Sequence, residues 1–175
     1  MKQILVFLIV LLAGFSMLEG QVPRFAKYPV MASGASLYMP QEPEWQLSYS
    51  EDSSEVYTTE VSLDTVLFGA IVVKFAEDLG EDTLVWENLL MSYLEYLNSP
   101  SAFGFSNVTD PGYGHQLSSH PKARGILEYA EDEAGTQYSL KGWIDNQYLA
   151  ILFLGYPREI NYNIEQMYLG GFRFP

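Results

Sequence analysis

Two histidines, His115 and His120, are the side chains of this sequence best suited to acid–base or metal chemistry. Asp110, Ser118 and Ser119 lie near them, so one segment holds the three side-chain types of a nucleophilic triad. Their spacing argues against such a site. Residues five apart point to opposite faces of a strand and lie about 140° apart on a helix, unlike the i, i+4 pair of metal-binding helices. The pattern predicts histidines without a catalytic or metal-binding role.

Acidic side chains form two clusters that could be mistaken for calcium sites. The cluster Glu128, Glu131, Asp132, Glu133 lacks the spaced D-x-D-x-D-G pattern of a calcium loop and falls where a hairpin should turn. The segment 77–82 precedes a predicted helix, whose N-terminus favours carboxylates by ~0.3–1 kcal/mol each. Both clusters are typical of solvated turns and caps, so we expect neither a metal ion nor a cofactor.

The 13 tyrosines and 3 tryptophans could line a pocket for a sugar or an apolar ligand. Most of them fall at alternating strand positions or on apolar helix faces, which a core would also use. Trp45, Trp143 and Tyr113 are the exceptions, because polar residues or glycines flank them. These three are the aromatic candidates for a binding surface.

Hydrophobic periodicity predicts the strands that must position these residues. Alternation over 45–49 and 136–144 indicates half-buried strands, and Thr58 and Thr59 favour a strand over 56–61. Dense apolar runs over 65–75 and 148–155 indicate strands covered on both faces. Asp145 and Asn146 offer a reversal between the last two strands, which predicts a hairpin and antiparallel pairing.

Two amphipathic helices are predicted beside the sheet. The first begins after the capping residues Asp82 and Thr83, repeats apolar residues every three or four positions, and stops before Pro100. The second follows Pro157 and ends at Gly170. The element order therefore predicts an α+β fold, an antiparallel β-sheet flanked by helices, in a single domain over 33–175 that follows an extended N-terminal arm over 21–32.

Composition restricts the partners of this domain. The 175 residues include 22 acidic and 9 basic side chains, which gives a net charge of −13. An acidic surface repels phosphate backbones and anionic lipids, so nucleic-acid binding is not expected. With 48% hydrophobic residues and no cysteine, the chain must be stabilised by packing rather than by disulfides.

Residues 1–20 have the pattern of a secretory signal peptide. Lys2 precedes an apolar stretch, Ile4–Leu12, that is shorter than the ~20 residues needed to span a bilayer. We expect cleavage after Gly20, with the segment 14–16 as an alternative exit and an uncleaved anchor as a further alternative. The mature protein is then exported to the periplasm or the extracellular space, with no stable membrane insertion after cleavage.

The order of elements resembles that of the Mog1/PsbP-like superfamily. The resemblance covers roughly 33–172: a strand ending in Met39 and Pro40 before Trp45, a long apolar strand, a helix after Asp82, a hairpin through Gly125 and Tyr138, and a closing helix at Ile164. It implies an αβα sandwich, in which helices cover both faces of the sheet. It also implies a non-enzymatic binding or assembly role, because most members look like accessory proteins.

The sequence thus predicts an exported, non-enzymatic accessory or binding protein that recognises a protein partner or a small ligand. Two alternatives remain open. One is a hydrolase that uses His115 or His120 with a nearby serine or aspartate. The other is a carrier of an apolar ligand in an aromatic-lined cavity.

Overall fold

The structure, a computed structural model, describes residues 23–175; the predicted signal peptide and residues 21–22 of the predicted arm lie outside the described residues. The described part contains two helices, α1 Thr83–Asn98 and α2 Tyr162–Leu169. Its strands are β1 Ala26–Pro29, β2 Ser36–Met39, β3 Gln46–Tyr49, β4 Glu55–Leu63, β5 Val66–Lys74, β6 Asn107–Val108, β7 Gly112–Leu117, β8 His120–Glu131, β9 Gln137–Ile144, β10 Tyr148–Tyr156 and β11 Phe172–Arg173.

Eight strands form one antiparallel sheet, called the main sheet below. Its order is β3-β4-β5-β10-β9-β8-β6, and β7 also pairs with β8. The dense apolar runs become the central strands β5 and β10, and every residue of β10 is buried. A second sheet of three strands, β1-β2-β11, forms separately and is called the small sheet.

Helix α1 covers one face of the main sheet. Asp82 caps its start by accepting a hydrogen bond from the Leu84 backbone N–H at 2.9 Å, as the sequence predicts. The buried residues of α1 are Trp86, Leu90, Leu94 and Leu97, which repeat every three or four positions. They join Val73, Ile126, Leu140, Ile144, Leu149, Ile151 and Phe153 in one apolar core. The predicted first helix is confirmed.

The opposite face of the main sheet is covered by the small sheet together with α2. Leu37, Met39 and Phe172 from the small sheet belong to the second core, as do Tyr168 and Leu169 of α2. The Tyr168 hydroxyl donates a hydrogen bond to the Gly69 carbonyl of β5 at 2.7 Å, which ties the short helix to the main sheet. The two cores therefore lie on opposite faces of one sheet.

The predicted fold class, an αβα sandwich with the sheet flanked by helices, is wrong. Strands account for 45% of residues 23–175 and helices for 16%, so the fold of this part is β-rich. The segment 21–32, predicted as an extended arm, contains β1, which pairs with β2. The segment 114–130, where Pro121 indicates a break, is almost entirely β7 and β8. Pro121 is tolerated because it lies near the start of β8, where register shifts interrupt the pairing with β7.

Candidate functional site

Strand β9 presents different chemistry to the two faces of the main sheet. Because strand side chains alternate, Leu140, Gly142 and Ile144 face α1, whereas Ser139, Lys141 and Trp143 face α2. All six residues are buried. Both sides of this strand are therefore shielded from solvent. The side with Ser139 and Lys141 carries the polar groups that can take part in chemistry.

A cavity of about 200 Å³ lies on the polar side of β9. Its walls come from β7, β8 and β9 and from the C-terminal end of α2, and they include His115, Gln116, Leu127, Lys141, Trp143 and Gln166. Gly125 of β8 helps to shape it, since a Cβ there would lie 2.4 Å from the Trp143 ring. The Trp143 indole N–H donates to the Leu169 carbonyl at 2.7 Å, which fixes the ring in place.

Lys141 is the central residue of this cavity. Only 5% of its surface is exposed, and its Nζ atom lies 4.8 Å from the centre of the Trp143 ring, within the range of a cation–π contact. Within residues 23–175, no carboxylate forms an ion pair with it. Burial lowers the pKa of Lys141 to about 7, because the ammonium loses hydration without gaining an opposite charge.

The buried carboxylate on the same side of β9 is engaged elsewhere. The Ser139 hydroxyl donates to Glu165 Oε1 of α2 at 2.6 Å, and it also shares a hydrogen bond of 2.8 Å with the Tyr156 hydroxyl. Glu165 is only 6% exposed. Among residues 23–175, no ion pair joins Glu165 to Lys141.

The two histidines lie in different surroundings. His115 of β7 is half-buried and lines the cavity, where burial and then the Lys141 charge lower the pKa of its imidazole below 6.5. His120 of β8 places Nε2 at 3.2 Å from Asp145 Oδ2, and its ring packs against Phe174 at 4.5 Å between ring centres. Asp145 also accepts the Gln147 backbone N–H at 2.8 Å.

A triad is not assembled around either histidine. Asp110, Ser118 and Ser119 are exposed, and no hydroxyl in the described chain is hydrogen-bonded to His115 or His120. The His120–Asp145 pair instead connects the β7–β8 hairpin to the β9–β10 turn. The pair therefore links two hairpins, and nothing beside it supplies a nucleophile for the hydrolase alternative.

The acidic cluster near the β8–β9 turn divides into two environments. Asp132 accepts the backbone N–H groups of Ala134 and Thr136 at 2.9 Å each, as expected for a turn. Glu128, by contrast, is 1% exposed beneath α1, where it accepts a hydrogen bond from Asn98 at 3.0 Å and where burial raises the pKa of its carboxyl. The prediction of a solvated side chain at Glu128 is wrong. In residues 23–175, no group of three potential metal ligands is assembled.

The aromatic candidates are also separated. Trp143 forms part of the cavity, Trp45 is half-buried beside the second core, and Tyr113 lies exposed with its hydroxyl 3.5 Å from the Met91 sulfur. Lys141, the residue that defines the site, is missed by sequence reasoning. One signal was present: a single lysine stands between Ser139 and Trp143 on one side of a strand that precedes a fully apolar strand.

Two comparisons with known proteins identify no relative of this chain. The amino-acid sequence matches no protein-family model and no curated protein. The resemblance to the Mog1/PsbP-like superfamily stays a prediction. Neither helix between residues 23 and 175 has the length and apolar character needed to cross a membrane.

Proposed function

We propose that the protein is an exported, non-enzymatic binding protein whose ligand is a small organic anion held by Lys141. One observation supports this proposal above the others: a lysine that is 95% buried faces a cavity and has no opposite charge from the described residues. A small ligand, rather than a protein partner, is the favoured target because Lys141 is buried in the wall of a cavity and is not on the outer surface.

The energetic reason is the cost of burying an unpaired ammonium. Such a charge is destabilising unless an opposite charge or several hydrogen bonds accompany it. A carboxylate in the cavity supplies that charge and raises the pKa of Lys141 back toward its usual range. Gln116 and Gln166 line the same cavity and carry amide N–H groups that can donate to the second carboxylate oxygen.

The size of the cavity restricts the ligand. A volume of about 200 Å³ corresponds to roughly six or seven water molecules at ~30 Å³ each. It is smaller than the range of ~300–1,000 Å³ found for drug-sized ligands. A short-chain monocarboxylate fits this volume, whereas a nucleotide or a long fatty acid does not.

The net charge of −13 favours a ligand that carries little charge of its own. Repulsion from the acidic surface extends over ~8 Å at physiological ionic strength, whereas the attraction to Lys141 acts on contact. Monoanions therefore enter at a smaller electrostatic cost than dianions or polyanions. We expect binding of a dicarboxylate to be weaker than binding of a monocarboxylate of equal length.

The binding proposal is tested by calorimetry or ligand-observed NMR with propionate and its uncharged analogue propionamide. Wild-type protein should bind propionate at least ~10-fold more tightly than propionamide, because only the carboxylate interacts with the Lys141 charge. Lys141→Gln should lose this preference. The matched variant Lys122→Gln, at an exposed lysine, should bind like wild type.

Two results would contradict the binding proposal. One is equal affinity for the acid and the amide in wild-type protein. The other is unchanged propionate binding in Lys141→Gln. Preferential binding of an uncharged apolar compound would support the apolar-carrier alternative, because Leu117, Leu127 and Leu169 form the apolar part of the cavity wall.

Export is tested separately on the full-length chain. Protein recovered outside the cytoplasm should begin at Gln21, as expected for removal of a signal peptide after Gly20. N-terminal sequencing or intact-mass measurement of that fraction gives the answer. A chain that retains Met1 and remains in the cytoplasm would contradict export without affecting the binding proposal.

A further inference from the structure

We infer that Lys141 binds its ligand covalently, by forming an imine between its Nζ atom and the carbonyl carbon of a short 2-oxo acid. This inference rests on the proposed function, since the same cavity must admit a small organic anion. It adds a ligand class, acids with a carbonyl group next to the carboxylate, and it assigns a bond-forming role to a residue that the sequence pattern did not single out.

The geometry around Lys141 suits a nucleophilic amine. Its Nζ atom lies over the Trp143 ring and faces the cavity, and no ion pair to a described carboxylate has to be broken before it attacks. The apolar residues Leu127 and Leu169 form part of the wall. A buried amine beside apolar walls is less accessible to water, which slows hydrolysis of an imine.

The protonation state of the amine also suits the reaction. Burial lowers the pKa of Lys141 in the ligand-free protein to about 7, so roughly half of the amine is neutral at pH 7 before an acid binds. An ordinary exposed lysine with a pKa of about 10.4 has less than ~0.1% of its amine neutral at the same pH. Desolvation in an apolar cavity is an established way to activate a lysine as a nucleophile.

The reaction needs no oxidant or reductant. The lone pair of the neutral Nζ forms a C–N bond, the π electrons of the carbonyl move to its oxygen, and proton transfer gives a neutral carbinolamine. The C–O bond then breaks, and the oxygen leaves as water together with the two hydrogens that began on the amine. The product is a C=N bond, which water can reverse.

The proton transfers in these steps are assigned to His115. It lines the cavity with Lys141, and burial, followed by the Lys141 charge, lowers the pKa of its imidazole, which favours the neutral form. A neutral imidazole has one N–H donor and one accepting nitrogen, so it can take a proton from the amine and return one to the oxygen. Glu165, the buried carboxylate on this side of β9, already accepts from Ser139.

The inference is tested by reductive trapping at pH 7 with pyruvate and sodium cyanoborohydride, which converts an imine into a stable secondary amine. Intact mass and peptide mapping should show one adduct per chain, at Lys141. Its labelling should be at least ~10-fold faster than that of Lys122, whose side chain is 76% exposed. Excess propionate should slow the labelling of Lys141 and leave that of Lys122 unchanged.

Three variants control the chemistry. Lys141→Arg keeps a positive charge but cannot form the imine, and Lys141→Met removes the charge with an unbranched apolar side chain that favours retention of the fold. Both should lose the rapid adduct, whereas Lys122→Arg should keep it. Circular dichroism confirms that each variant is folded before it is assayed.

Adducts spread over exposed lysines, or an equal adduct in Lys141→Met, would overturn the inference. The proposed function is judged independently with propionate, which has no carbonyl carbon available for imine formation. If propionate binding depends on Lys141 but pyruvate leaves no adduct there, the covalent step is wrong and the binding proposal stands. If propionate does not bind and pyruvate leaves no adduct, both are wrong.

Discussion

The two faces of the main sheet differ most clearly across strand β9. On the α1 face, Leu90 packs so closely on Gly142 that a Cβ there would lie 2.4 Å from the Leu90 side chain. On the α2 face, one residue away in sequence, Lys141 faces a cavity of about 200 Å³. One strand thus contributes both to a close-packed core and to a candidate binding site.

Helix length explains much of this difference. Helix α1 has 16 residues and contributes four buried side chains that fill the space above β8 and β9. Helix α2 has 8 residues and ends at Leu169, beside the cavity. The short helix and the β7 strand border the space above Lys141 rather than fill it.

Strand β8 buries Glu128 on the α1 face and strand β9 buries Lys141 on the α2 face, and these two ionisable groups differ in their partners. Glu128 lies beneath α1 and accepts a hydrogen bond from Asn98, whereas Lys141 has no hydrogen-bonded or ion-paired partner within residues 23–175. Burial raises the pKa of Glu128 and lowers that of Lys141, so both shifts favour the neutral form. The side chain left unpaired is the one beside a cavity.

The largest expected effect compares packing on the two faces. Leu90→Ala should lower the free energy of unfolding by ~2–5 kcal/mol, because it leaves a void in a close-packed core. Leu127→Ala, on the cavity wall, should cost less than ~2 kcal/mol, since its side chain is only partly buried. Urea unfolding measures both values, and equal losses would contradict the difference in packing.

Replacement of the buried lysine should be stabilising. Lys141→Met should raise the free energy of unfolding by roughly 1–4 kcal/mol at pH 6, since it removes a buried charge without a partner. The cost of Lys141 is fully present below its folded pKa of about 7, and it fades as the pH rises toward the usual value of 10.5. The advantage of the variant should therefore shrink by pH 9; a constant advantage would show that the charge is not responsible.

The buried carboxylate should show the opposite pH dependence. Glu128→Gln should raise the free energy of unfolding by about 1 kcal/mol at pH 7, because the amide oxygen still accepts from Asn98 and no charge is buried. The cost of Glu128 is present above its raised pKa and fades as the pH falls through that pKa toward 4.5. Unfolding curves of wild type and variant should converge at pH 4, and a gap that widens in acid would contradict the assignment.

The smallest expected effect is at an exposed lysine. Lys122 lies 4.0 Å from Glu81, and both side chains are more than three-quarters exposed. Lys122→Met should change the free energy of unfolding by less than ~0.5 kcal/mol at any pH from 6 to 9. A change as large as that of Lys141→Met would show that loss of any lysine charge, and not burial, governs stability.

Sequence reasoning predicts the elements whose signals are local. The α1 helix, the central strands β5 and β10, and the reversal after Ile144 follow from periodicity and turn residues. Strand β7 and the start of β8 are missed because Pro121 indicates a break there, and β1 is predicted only as an extended arm. Strand β3, predicted as half-buried, is exposed at all four residues at the edge of the main sheet. The predicted fold class is wrong mainly because the small sheet, and not α2 alone, covers the second face of the main sheet.

The candidate site could not be predicted from the same signals. His115 and Lys141 are 26 positions apart in the sequence, and α2 completes the cavity from a third segment. On a strand with alternating polarity, Ser139 and Lys141 indicate a solvent-facing side. Only the tertiary structure shows that α2 and β7 cover that side and leave the amine buried.

Titration of the Lys141 amine tests the central claim most directly. NMR of the protein labelled with ¹³C at the lysine Cε position, with Lys141→Met used to assign the resonance, gives its pKa in the folded protein. We predict a midpoint of about 7 that rises when propionate is added, because a carboxylate stabilises the ammonium. A midpoint at the ordinary value of about 10.4, unchanged by propionate, would contradict the buried, ligand-binding amine.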